Sequence, residues 1–319
     1  MQYLTEACRY SYRQLSRIWS IFLSLWVIPS LIFDKEALWL PVCIAGGVMI
    51  LLTIAIIVHR YLIVKRGSMT VELLHNHRVQ LRRDDFQVNA DYLLHHLTRE
   101  QLRDLVMVMG IDYTGIMELN TPRGVAYYLL KYLNENYTVN GEMPSEVVQK
   151  RINHYCDTHP TKDPIFRLKP CACVETRMML TSKQHPEEEP LPCNLLMVAN
   201  SQKEDYSDDM RIEAIKHNGE ANLVIPSIFN YLKDTKTYTS MLIGIIGSNG
   251  LKLPYLSIFS QIINQFAWLG FIDKDVLLQD VYISIREQDY QGIWEVSLSQ
   301  LESYLRECSK YYPTRVVKQ

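Results

Sequence analysis

The residues best suited to chemistry are Gly244-Ile245-Ile246-Gly247-Ser248-Asn249-Gly250, between an apolar run and a helical pattern that starts near Tyr255. Glycines at such a place let backbone amides approach an anion, and a helix that begins just after adds its positive end. The stretch lacks the Lys-Ser/Thr of a P-loop and the acidic ribose partner of a dinucleotide fold. Phosphate binding by Gly244, Gly247, Ser248, Asn249 and Gly250 and a plain strand-to-helix turn are therefore both open readings. Asn200 and Ser201, just past another apolar run, are further candidates for ligand contact. His154, Cys156, His159, Cys171 and Cys173 do not have the paired spacing of a structural zinc site, and no metal is expected. Asp205, Asp208 and Asp209 read as a solvated charged loop. With no paired carboxylates, no nucleophile–base set and no cofactor motif beside the glycines, no catalytic residue is assigned and the chain is expected not to be an enzyme.

These candidates need a scaffold. After Pro160–Pro164 short apolar runs alternate with helical patterns: strands are predicted at 171–179, 194–199, 241–246 and 281–285, and helices at 222–232, 255–268 and 298–310. The run Asn194–Ala199 is uninterrupted, as in a strand buried on both faces. Lys183–Pro192, acidic and proline-containing, reads as an exposed loop. Such alternation predicts an α/β layer with a mainly parallel sheet, and ligands bind beyond the carboxyl ends of the strands in that arrangement.

Before it, Met69–Arg83 alternates apolar and polar residues around His75-Asn76-His77 and predicts a β-hairpin. Leu93, Leu94, Leu97, Leu102, Leu105, Val106 and Met109 recur at spacings of three and four and predict helix, with Thr98 and Gln101 closing a capping box and Gly110 as the stop. Arg123–Asn134 and Pro144–Tyr155 predict two more helices, so this region reads as a small helical bundle.

Two apolar runs open the chain. Ala37–Val58 is 22 residues without a charge, and roughly 20 such residues cross about 30 Å of hydrocarbon as a helix. Ile18–Phe33 precedes it across a turn of Asp34, Lys35 and Glu36. The pair predicts a transmembrane helical hairpin. Basic flanks at Arg9, Arg13, Arg17, Arg60, Lys65 and Arg66 place both termini in the cytoplasm. Ala45, Gly46 and Gly47 offer a smooth surface for helix packing in the membrane, or are merely tolerated there.

The formal net charge of −2 over 319 residues gives no footprint for nucleic acid, and seven scattered cysteines suit a reducing compartment. The predicted fold is a membrane-anchored multi-domain chain. It divides into a transmembrane α-hairpin (1–66), a β-hairpin with a small α-helical bundle (67–160) and a C-terminal α/β domain (161–319).

Two stretches carry resemblances. Leu97–Leu105, Gly110-Ile111-Asp112-Tyr113 and Ala126–Leu133 resemble the effector-associated, bacterial death-like domains of antiphage systems, which implies docking to a death-like-domain protein. Ile245–Pro254, with Ile258–Ile263, resembles the late phosphate loop and helix of macro domains. More narrowly, the C-terminal half with the N-terminal hairpin resembles the membrane-anchored macro-domain effectors of Thoeris-type bacterial antiphage defence. That resemblance implies binding of an ADP-ribose-like nucleotide signal, homo-oligomerisation, contact with membrane lipid and disruption of the bacterial inner membrane. The alternative is a membrane-tethered adaptor that recruits a defence protein through its death-like bundle without a nucleotide. One departure stands out: the first half of a macro domain is not visible, and the helical bundle occupies its place, with Met69–Arg83 as a surviving first hairpin.

Overall fold

The computed structural model describes residues 16, 19–21, 23–24, 39–66, 68–74, 77–117, 119, 124–162, 166–201, 223–246, 255–272, 277–285 and 298–311. The chain divides into two compact units, Met1–Met69 and Thr70–Gln319.

In the N-terminal unit, α1 spans Trp39–Arg66. Val48, Ile50, Leu51, Leu52, Ile54 and Val58 are all exposed and share one side of the helix, while Ala45, Gly46, Met49, Thr53 and Ile57 on the other side are half-buried. Trp19 Nε1 donates to Thr53 Oγ1 at 3.2 Å, which brings the first apolar run to the second. Among the described residues no helix is long and apolar enough to cross a membrane. The predicted transmembrane hairpin is corrected accordingly: most of Ile18–Phe33 lies outside the described residues, and within α1 side chains are described only at 43, 45–55, 57 and 58.

The second unit is built on one eight-stranded sheet with the order β1-β2-β8-β7-β3-β6-β5-β4. Its strands are β1 (Ser68–Leu74), β2 (His77–Arg83), β3 (Leu105–Asp112), β4 (Tyr137–Thr138), β5 (Cys173–Ser182), β6 (Leu191–Ser201), β7 (Ser240–Gly244) and β8 (Asp280–Ile285). β2, β8, β7, β3 and β6 pair in parallel in that order, and β5 runs antiparallel to β6. The helices are α2 (Phe86–His96), α3 (Arg99–Arg103), α4 (Gly124–Asn136), α5 (Pro144–Thr158), α6 (Val224–Thr235), α7 (Tyr255–Ile272) and α8 (Leu298–Tyr311).

This sheet corrects the expected fold class. Residues 67–160 are no separate helical bundle, because β3 lies between β7 and β6 at its centre. Leu105–Met109, predicted as helix, is a strand whose every residue is buried. Its apolar spacing satisfies a helix, but the run is also continuous, and burial from both faces decides the matter. The face carrying Met107, Met109, Ile111, Leu195 and Met197 packs on α2, α4 and α5 through Leu93, Leu129, Leu133, Val148 and Ile152. Local signals hold elsewhere: the Thr98–Gln101 capping box forms in both directions, and Pro144 opens α5.

Where α7 passes β2, Gly270 makes room for a ring. A Cβ there would fall 2.6 Å from His77 Nε2 and 2.7 Å from Cδ2, and the same imidazole packs on Phe266 with centroids 5.5 Å apart. Gly270→Ala is therefore expected to lower stability by about 1–3 kcal/mol, the usual cost of overfilling a packed site. Denaturant titration checks this, and an unchanged midpoint would show that the ring moves aside freely.

Candidate functional site

Five strands running in one sense end along one edge of the sheet. β2 stops at Arg83 and passes through Asp84 and Asp85 into α2; β3 stops at Asp112, β6 at Ser201, β7 at Gly244 and β8 at Ile285. At such an edge backbone amides run out of ladder partners and helix N-termini gather. The Cβ direction of Gly244 points between Phe86, at the start of α2, and Val125, at the start of α4, 3.6 and 3.8 Å away. Two helices thus begin beside the end of β7.

Each turn at this edge is tied down locally. After β3, Asp112 Oδ1 accepts the Thr114 N–H at 2.7 Å, and the Asp112 carbonyl accepts the Gly115 N–H at 3.0 Å. Gly115 has φ +66°, a left-handed conformation that glycine adopts without strain. The Tyr113 carbonyl accepts the Leu168 N–H at 2.9 Å. Between β2 and α2, buried Asn89 donates through Nδ2 to Ser284 Oγ at 2.9 Å and to the Asp84 carbonyl at 3.2 Å. Arg82 Nε donates to Asn89 Oδ1 at 2.9 Å, and its guanidinium lies over the Tyr92 ring at 3.9 Å. Asn89 thereby fixes the β2–α2 turn to the end of β8.

A second polar group sits further in, on β5 against α6. Glu175 accepts hydrogen bonds from Tyr231 Oη at 3.1 Å, from Tyr238 Oη and from Arg177 Nε at 3.0 Å. Burial pushes the Glu175 carboxyl up, but the Tyr238, Arg177 and Tyr231 hydrogen bonds outweigh it and hold the group below its ordinary value. Burial raises both tyrosines, reinforced by the adjacent carboxylate. The Cys173 thiol is pushed up to about 12 by burial and by neighbouring Cys171. Burial likewise takes Cys193 to about 12. Both are thiols at neutral pH and poor nucleophiles.

The structure distributes the predicted site residues unevenly. Gly244 closes β7 and is buried, whereas Gly247, Ser248, Asn249 and Gly250 lie outside the described residues. Asn200 is buried near the end of β6, and Ser201 pairs with Asp112 just past a register shift in which Asn200 is the extra residue of β6. Gly244, Asn200 and Ser201 therefore come to the same edge, with β3 between them. Ala45 and Gly46 are half-exposed on α1 of the other unit, and a Cβ on Gly47 would meet nothing within 4 Å. Sequence reasoning missed the contribution of β3, meaning Gly110 and the Asp112–Gly115 turn. The continuous run Leu105–Met109 followed by glycine was the available signal. The start of α4 was legible to within one residue, at Arg123 against the observed Gly124, where φ is +74°.

No protein-family model matches the chain, and no curated protein matches it. Among solved structures, the chain is similar to the Oceanobacillus iheyensis macrodomain with MES bound, at 12% identity, covering 75% of this chain and 97% of that one with a TM-score of 0.43. The same macrodomain with ADP gives 10% identity, 75% and 97% coverage and a TM-score of 0.42. Poly(ADP-ribose) glycohydrolase from Deinococcus radiodurans in complex with ADP-ribose gives 10%, 72% and 84% coverage and 0.41. These similarities cover about three quarters of the chain, 75% for the first of them, and so extend beyond the C-terminal half in which the resemblance was legible. The expectation of a non-enzyme is not upheld by this comparison: one similar structure is a protein named as a poly(ADP-ribose) glycohydrolase.

Proposed function

We propose that the chain binds an ADP-ribose-like nucleotide beyond the carboxyl ends of β7, β3 and β6. The observation that carries this reading is the convergence of Gly244, Asn200 and the starts of α2 and α4 on one edge of a parallel sheet. Helix N-termini supply positive potential for phosphates there. The nucleotide class comes from the macro-domain resemblance of Ile245–Pro254. ADP and ADP-ribose are ligands of the similar solved structures, whose overlay does not itself carry the assignment to this chain.

Nucleotide binding, in this proposal, controls self-association of the N-terminal unit at the bacterial inner membrane, as in a defence effector. The apolar residues exposed along one side of α1, from Val48 to Val58, support that output; the defence role rests on the sequence resemblance alone. The adaptor alternative depended on a separate death-like bundle, and those residues belong to the sheet unit.

Calorimetric titration of the full chain with ADP-ribose, paired with cross-linking before and after addition, tests the proposal. Expected are a dissociation constant near about 1 μM, equivalent to about −8 kcal/mol, and larger cross-linked species with ligand. Absence of heat with both ADP-ribose and ADP would remove the nucleotide reading. Binding without a change in cross-linking would remove only the coupling. Release of phosphate or ribose products would be followed in the same samples, because the fold does not argue against hydrolysis.

A further inference from the structure

Asn200 keeps only 7% of its surface exposed, and among the described residues its side-chain amide is seen in no hydrogen bond. It lies flat on β3. Its Nδ2, Oδ1 and Cγ are 2.5, 2.6 and 2.7 Å from the position that a Cβ on Gly110 would occupy. Near-equal distances mean that the amide plane faces the Gly110 Cα, so its donor and acceptor edges point sideways, along the sheet surface. Gly110 is in the register opposite Val198, and only the missing side chain leaves room for this placement. The amide keeps some contact with solvent, since its atoms are not among the fully buried side-chain atoms without a partner, and it is therefore open to a ligand. The same amide is well suited to a planar ligand edge on which a donor stands next to an acceptor. Asparagine pairs in this way with adenine through two hydrogen bonds, whereas a lone hydroxyl or phosphate oxygen would use half of it.

We infer that Asn200 reads such an edge, an aminopurine or a primary carboxamide, on the bound nucleotide, with Gly110 as the floor that orients it. This rests on the nucleotide reading above and adds base recognition to it.

The test uses the full chain and three probes: ADP-ribose, its hypoxanthine counterpart, and nicotinamide mononucleotide. With an aminopurine edge, the wild type binds ADP-ribose at least about fivefold more tightly than the hypoxanthine analogue. Asn200→Ala then loses that preference and weakens ADP-ribose by a similar factor. With a carboxamide edge, the loss in Asn200→Ala falls on nicotinamide mononucleotide; either pattern supports the inference. Unchanged affinities in Asn200→Ala for every probe that binds would overturn it and leave the nucleotide reading standing. No binding of any probe to the wild type would overturn both.

Melting separates recognition from structure. Without ligand, Asn200→Ala is expected to melt near the wild-type temperature, since no side-chain hydrogen bond among the described residues is removed. A clearly lower melting temperature would assign Asn200 a structural role and overturn the inference. Gly110→Ala, which leaves Asn200 in place and displaces its amide, is expected to lose the same preference, and its retention would also count against the inference.

Discussion

A fragment beginning at Thr161 is expected to stay unfolded, while the chain from Ser68 onward unfolds in one cooperative transition. The cut falls where sequence patterns divide, between a helical-looking region and an alternating one. It removes β3, which hydrogen-bonds β6 from Val106 to Asp112 on one side and β7 from Leu105 to Val108 on the other. Without it β6 and β7 stand about 10 Å apart, two strand spacings, and their facing amides and carbonyls have no partner. The fragment also loses Leu93, Leu129, Leu133, Val148 and Ile152, which cover one face of the sheet. Circular dichroism melts and denaturant titration of both fragments decide the matter. A sharp, reversible melt of the Thr161 fragment would show that the sheet can close without its centre.

A point version of this experiment is Val108→Asp. Val108 has no exposed surface, and it sits between two parallel neighbours. A carboxylate there has no partner and is expected to abolish folding in the full chain, or to cost more than about 3 kcal/mol if the side chain is protonated. Val108→Ala should cost less than about 3 kcal/mol and leave the fold intact. Equal effects of the two substitutions would mean that the position is not buried as described.

The second large effect is expected at Glu175. Glu175→Ala strips Tyr231, Tyr238 and Arg177 of their common acceptor, and leaving such groups half-buried and unpaired is expected to cost about 2–4 kcal/mol. Its pH dependence identifies the cause. The folded carboxyl lies below its ordinary value because the Tyr238, Arg177 and Tyr231 hydrogen bonds outweigh the upward push of burial. A group with a depressed folded pKa stabilises the protein above its unfolded pKa, and the contribution disappears as pH falls through the folded value. Wild type and Glu175→Gln are thus expected to differ most near neutral pH and to converge in acid. Parallel stability curves for the two proteins across that range would assign the loss to packing rather than to the charged acceptor.

Glu175 also illustrates why partners escape a linear reading. It stands at an alternating position of a predicted strand, as an ordinary solvent-facing carboxylate would. Its partners come from α6 and from the segment leading into β7, 56 and 63 residues further along. Asp112 shows the opposite case: its side chain bonds the amide two residues on, a local turn signal that Gly110-Ile111-Asp112-Tyr113 carried all along. That stretch was assigned to a helix stop, so the turn was seen but given to the wrong element.

By itself the sequence determined the local choices. The uninterrupted apolar runs gave strands at β6, β7 and β8, amphipathic spacing gave α4 to α8, and Thr98 and Gln101 capped α3, because each depends on neighbours within a few residues. Only the tertiary structure decided that Leu105–Met109 is the central strand rather than a helix, since a run buried on both faces satisfies either period until its partners are present. It likewise decided that Gly110 and Asn200 meet. They are 90 residues apart, and it is the β3–β6 register that lays one amide over the other's bare Cα.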